Sequence, residues 1–88
     1  MANVKGGTII GTGDYVNIES LFNLTLIEGT KYQVQIQGGA VFCEKATKPS
    51  DNEGFYWNLI KPFGYEKASA YLWMKVNKGE SVFVNIAE

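Results

Sequence analysis

Two residue types are missing from this chain: among its 88 residues there is no histidine and no arginine. Histidine is the side chain most often used to move protons near neutral pH, and arginine supplies most bidentate grips on phosphate and carboxylate. Their joint absence narrows the range of possible enzymes sharply, and no residue stands out as catalytic. Cysteine is reduced to Cys43, which excludes an intramolecular disulfide. With no Cys/His cluster there is no zinc staple either, and neither a metal nor a cofactor is expected. Charge of either sign is scarce, eight lysines against nine carboxylates for a net charge of -1. That balance leaves no basic stripe for nucleic acid. No apolar run approaches the roughly 20 residues that cross a bilayer, and residues 1–12 lack the hydrophobic segment of a secretory signal. Neither a nucleic-acid nor a membrane partner is expected, and the chain is read as made in the cytoplasm.

What the sequence does have is aromatic residues, two Trp, five Tyr and five Phe, within a composition that is 45% hydrophobic. A chain this short makes one domain and buries only roughly 60 to 65% of its unfolded surface. Oligomerisation is the remaining common source of support.

Residues 1–13 hold Gly6, Gly7, Gly11 and Gly13 and read as a flexible glycine-rich arm, with a short strand at Thr8, Ile9 and Ile10 able to wrap a neighbour. The domain proper is placed at 14–88. From Tyr15, apolar Val16, Ile18, Phe22, Leu24 and Leu26 alternate with polar residues, which predicts two short strands around a turn near 19–23. Lys31 to Gln37 is the clearest strand, Tyr32, Val34 and Ile36 on one face and Gln33, Gln35 and Gln37 on the other. Gly38-Gly39 predicts a tight hairpin returning as Ala40 to Lys45, with Val41 and Cys43 inward. Lys48 to Gly54 reads as an exposed loop, Phe55 to Ile60 as an aromatic strand, and Lys61 to Gly64 as the turn that ends it. Ala70 to Val76 and Ser81 to Ala87 are the last strands, joined by a hairpin loop at Asn77 to Glu80. Six to seven short strands without a helical period predict an all-β fold, a small antiparallel β-sandwich or barrel.

Few residues invite chemistry. Cys43, in an apolar register with no histidine to activate it, reads as a buried, inert thiol. Asp51 and Glu53 lie in a polar loop, and their spacing does not match a calcium loop. Phe42, Trp57, Tyr71, Trp73 and Phe83 fall on the outward register of their strands and need an explanation. They fill the core if that register is wrong, they pack against another copy of the chain, or they stack on sugar rings.

The segment from Leu21 to Glu44, LFNLTLIEGTKYQVQIQGGAVFCE, resembles small virion structural proteins of tailed bacteriophages. In these a Leu-Thr-Leu segment precedes Gly-Thr-x-Tyr, a Gln-rich strand, a glycine turn and a short strand ending near Glu. Ala46-Thr47-Lys48-Pro49, Leu72-Trp73-Met74-Lys75 and Val82 to Glu88 extend the likeness. The resemblance implies a β-sandwich that decorates or cements capsids, builds head fibres or sits in tails, often as a homotrimer, without catalytic residues. Its expected partners are copies of itself and phage capsid or tail proteins, and its expected location is the virion. The rival expectation is a carbohydrate- or receptor-binding module in which Trp57, Tyr71 and Trp73 form a stacking platform beside the Gln33, Gln35 and Gln37 face.

Overall fold

Strict alternation gives a strand one apolar face, and two such faces can only be hidden against each other. Tyr32, Val34 and Ile36 supply one stripe and Val82, Val84 and Ile86 another, and all six are buried. The computed structural model describes residues 4–58 and 62–88. Among these are β1 (Val4–Ile10), β2 (Tyr15–Asn17), a short helix α1 (Ile18–Leu21), β3 (Lys31–Gln37), β4 (Ala40–Lys45), β5 (Phe55–Trp57), β6 (Phe63–Glu66), β7 (Tyr71–Lys75) and β8 (Ser81–Ala87). The strands form two antiparallel sheets, ordered β1-β8-β3-β6 and β2-β7-β4-β5. The fold is therefore an all-β sandwich, with more strands than the six or seven expected. Ile18, Val34, Ile36, Met74 and Val84 lie at its centre, each fully hidden from solvent. Each such side chain stabilises the fold by about 1.5–3 kcal/mol relative to an exposed one.

Four local expectations are corrected. Residues 4–10, read mainly as a loose arm, form a strand paired with β8 along its whole length. The sandwich therefore begins before residue 14. Ile9 is the inward anchor of that strand, at 2% exposure. Gly6 serves close approach here, because a Cβ at that position would lie 1.9 Å from the carbonyl oxygen of Val84.

The alternation from 15 to 26 yields one strand and a helical turn. Asn17 explains the switch: its side-chain oxygen accepts hydrogen bonds from the amides of Glu19 (3.0 Å) and Ser20 (3.4 Å), capping α1. Leu24 and Leu26 pack toward the core from a loop whose amides find other acceptors. The amide of Leu26 donates to the Glu19 carboxylate (3.0 Å) and that of Ile27 to the Tyr32 hydroxyl (2.8 Å). The same Glu19 carboxylate accepts from Lys67 Nζ at 2.7 Å, in an ion pair whose side chains are only 10% and 8% exposed.

Gly38-Gly39 and Asn77 to Glu80 are not hairpins. Each carries the chain from one sheet to the other, and among the described strands only β4 and β5 are neighbours both in sequence and in a sheet. Gly38, with φ +116°, makes the corner. A two-residue hairpin would have placed Val41 beside Ile36, whereas the corner keeps even-numbered residues inward, so Ala40 and Phe42 are buried and Val41 and Cys43 face out. Finally, Phe63 and Gly64, expected in the Lys61 to Gly64 turn, instead open β6, an edge strand on β3. The expected strand positions Leu59 and Ile60, and Lys61 of the expected turn, lie outside the described residues.

The corner register has a measurable consequence. Phe42→Ala is expected to destabilise the fold by about 3–5 kcal/mol and Val41→Ala by much less. Denaturant unfolding of the two variants checks this, since the hairpin register would reverse their order.

Candidate functional site

The β4–β5 hairpin changes which residues face the core. Phe42 pairs with Phe55 and Ala40 with Trp57, so odd-numbered Phe55 and Trp57 point to the inner side of their sheet. Opposite them, β6 presents Phe63, paired with Val34. Both β5 and β6 are edge strands on the same side of the sandwich, and four aromatic rings meet in the seam between them. The Phe42 and Phe63 rings lie 5.1 Å apart and the Trp57 and Phe63 rings 5.3 Å apart, both edge to face, the arrangement that aromatic quadrupoles favour.

The seam is not closed. A cavity of about 210 Å³ lies between Phe42, Phe55, Trp57 and Phe63, which are its lining among the described residues. Phe55 at its mouth is 84% exposed, and Tyr56, on the opposite side of β5, is 61% exposed. The Trp57 indole nitrogen is buried without an acceptor among the described residues, a state that costs about 1–3 kcal/mol. A solvated surface gains nothing from this arrangement.

On the outer face of the β2-β7-β4-β5 sheet, the loop from 46 to 54 folds back over the strands. Tyr15 stands on the outward register opposite Lys75, yet it is 4% exposed because this loop covers it. Its hydroxyl donates to the Glu53 carbonyl. Lys75 Nζ lies 5.0 Å from the Tyr15 ring centre and donates to the Asp51 carbonyl at 2.7 Å. Lys45 Nζ grips both Glu53 carboxylate oxygens, at 2.8 and 3.0 Å, and Lys48 reaches Asp14 at 2.5 Å. The segment read as an exposed loop is exposed at most of its positions and is clipped down by charge.

Cys43 is corrected as well. It is half-buried beneath this loop on the outer face rather than in the core. Burial, and then the nearby Glu53 carboxylate, push its thiol above the ordinary range, which keeps it protonated and a poor nucleophile. Among the described residues, no three Cys, Asp or Glu side chains gather as a metal site.

The five aromatics singled out in the sequence do not form one surface. Phe42 and Trp57 belong to the seam, and Phe42, at 7% exposure, is a core residue. Tyr71 and Trp73 lie on the outer face of β7, where the Trp73 indole donates to the Lys45 carbonyl at 2.9 Å. Phe83 stands on the outer face of the other sheet, between Thr8 and Gln37. Of the arm residues, Ile9 is buried and Ile10 is 77% exposed. Trp57, Tyr71, Trp73 and the Gln33/Gln35/Gln37 row therefore cannot act as a single platform. Phe55, Tyr56 and Phe63 were missed, although the unbroken aromatic run 55–57 was a signal: a strand that is aromatic on both faces lacks a solvated side. No protein-family model, curated protein or solved structure matches the chain.

The loop clip should respond to acid. The Lys45 hydrogen bond holds the Glu53 carboxyl below its ordinary range, and the Lys48 hydrogen bond does the same for Asp14. A carboxyl lowered in the folded state contributes stability that is complete above its unfolded pKa and is lost as pH falls through the folded value. NMR amide signals of residues 48–54 are therefore expected to move below about pH 4 while those of β3 and β8 stay fixed. Glu53→Gln should abolish most of that movement; an unchanged titration in this variant would show that the clip is not responsible.

Proposed function

We propose that this chain is a non-enzymatic structural subunit that works by assembling with copies of itself, as a virion protein of the capsid-decorating or cementing kind does, and that the aromatic seam is its self-contact. The observation that carries the reading is the open cavity bounded by four aromatic rings, with Phe55 almost fully exposed at its mouth. A ring or branched side chain inserted from a neighbour would close it. Burial of one aromatic side chain removes about 150–250 Å² from water, and such anchors dominate the energetics of interfaces.

The chemistry available fits this better than it fits catalysis. The single thiol is held protonated, and the two carboxyls lowered by lysine, Asp14 and Glu53, are half-exposed. A pocket on one surface that takes a protrusion from another gives a head-to-tail contact, which closes into a ring when the rotation permits. A trimer is the small ring that virion decoration favours in the resemblance drawn from Leu21 to Glu44. Capsid or tail proteins are then its further partners and the virion its location.

Light scattering over a hundredfold concentration range tests the proposal. The native chain is expected to reach a fixed oligomer mass, and Phe55→Ser to remain monomeric with stability changed by no more than about 0.5 kcal/mol, as for other surface substitutions. A native chain that stays monomeric and does not bind capsid shells would remove the virion reading. An oligomer unaffected by Phe55→Ser would move the contact away from the seam.

A further inference from the structure

We propose that the open end of the sandwich between β4 and β6 binds a primary alkylammonium group, with Glu44 and Tyr65 holding the charged nitrogen and Phe42 and Leu72 receiving the alkyl chain. The pairing of β4 with β5 stops at Phe42 and Phe55, whereas β4 continues against β7 as far as Lys45. Beyond Phe42 the interior therefore lacks the cover of an edge strand. Glu44 is paired with buried Leu72 and stands two residues along from buried Phe42, so all three lie on the inner side of their sheet. Across from them Tyr65, paired with buried Tyr32, packs against the core from β6. A cavity of about 350 Å³ occupies this end, lined by Phe42, Cys43, Glu44, Gly54, Phe55, Tyr65 and Leu72. It adjoins the seam at the Phe55 end of β5, and it does not rest on the seam being a self-contact.

The ligand class follows from the charge. Glu44 is exposed on a register whose other members, Ala40 and Phe42, are buried and apolar, and none of the ion pairs among the described residues engages it. Lys45, the next residue, takes the opposite register and grips Glu53. The Tyr65 hydroxyl is buried close to the Glu44 carboxylate but makes no well-formed hydrogen bond among the described residues. Burial, and then that carboxylate, push its pKa well up, so it stays a neutral phenol whose oxygen accepts. A carboxylate and a phenol oxygen beside Phe42 and Leu72 suit a positively charged donor on an apolar stem. An ammonium group has three donors and no acceptor, and its alkyl chain gains by leaving water. Glu44 would repel an anionic ligand, and it offers a wholly apolar one nothing.

Titration of the ¹⁵N-labelled full chain with n-butylammonium at constant ionic strength, and with 1-butanol as its neutral analogue, tests the site. Butylammonium is expected to shift the backbone amide signals of Glu44, Tyr65 and Leu72 with a Kd of about 1–20 mM, and 1-butanol to bind at least about fivefold more weakly. Glu44→Gln should weaken butylammonium about tenfold and Tyr65→Phe about threefold, while unchanged β1 and β8 signals show that both variants fold. The same titration of Phe55→Ser, which retains Phe42, Glu44, Tyr65 and Leu72, separates this site from the seam, because binding to that variant is expected whether or not the native chain assembles. If Glu44→Gln also lowers the oligomer mass of the chain, the bound ammonium is a lysine of a second copy; if the mass is unchanged, it is a free amine. The proposal is overturned if butylammonium moves none of these signals in either chain at about 100 mM, if Glu44→Gln binds it as tightly as the native chain, or if 1-butanol binds equally well.

Discussion

Nearly every connection in this sandwich must carry the chain from one sheet to the other and still deliver the next strand with its apolar side inward. That constraint decides where almost every side chain points. Tyr32, Val34 and Ile36 lead through the Gly38 corner to Ala40 and Phe42, and the same even parity returns in Leu72, Met74 and Val76 and in Val82, Val84 and Ile86, all buried. β8, which starts after another sheet-changing turn, lies between β1 and β3 and holds the first sheet together. The β4–β5 hairpin shifts that parity, and there the odd-numbered Phe55 and Trp57 are delivered to the seam, opposite the odd-numbered Phe63 of β6. The core and the candidate contact thus both follow from the register in which each connection delivers its strand.

Loops that belong to no ladder need other fastenings, and here these are charged. Glu19 and Lys67 form a buried pair that also takes up the Leu26 amide and the Ala70 carbonyl, with Lys67 lying 4.6 Å from the Tyr71 ring centre. Removing one partner of such a pair costs about 3–5 kcal/mol, because the other charge is left buried. The exposed pairs Lys45–Glu53 and Lys48–Asp14 work differently. Water screens them, and they add little to global stability, but they hold the loop from 46 to 54 over Tyr15 and Cys43.

The strands with clean alternation were legible in the sequence. β3, β7 and β8 fall where Lys31 to Gln37, Ala70 to Val76 and Ser81 to Ala87 place them, because period-two burial depends only on local order. What could not be read was which strand pairs with which. Gly38-Gly39 and Asn77 to Glu80 carry the residues of hairpin turns, but the partners of β3 and β7 are distant in sequence. The outward assignment of Phe42 followed from that one error. Asn17 was a capping residue within an apparently alternating segment, and the glycines of β1 signalled close packing against β8 where they suggested mobility. The seam itself was half visible: Trp57 was singled out, while Phe63 was hidden by the proline before it.

The sandwich is closed at its core, and we propose that a second copy covers its open β5–β6 edge. In that proposal the seam, rather than the outer face of β7, meets the neighbour, and the two tryptophans report on the two places separately. The most direct measurement follows both indole N–H signals in ¹⁵N–¹H spectra across a concentration series. The Trp57 signal is expected to shift as copies associate and a neighbour's side chain packs into the seam beside its ring, while the Trp73 signal, already bonded to the Lys45 carbonyl, stays in place. A Trp57 signal that never moves, or a Trp73 signal that moves alone, would contradict it.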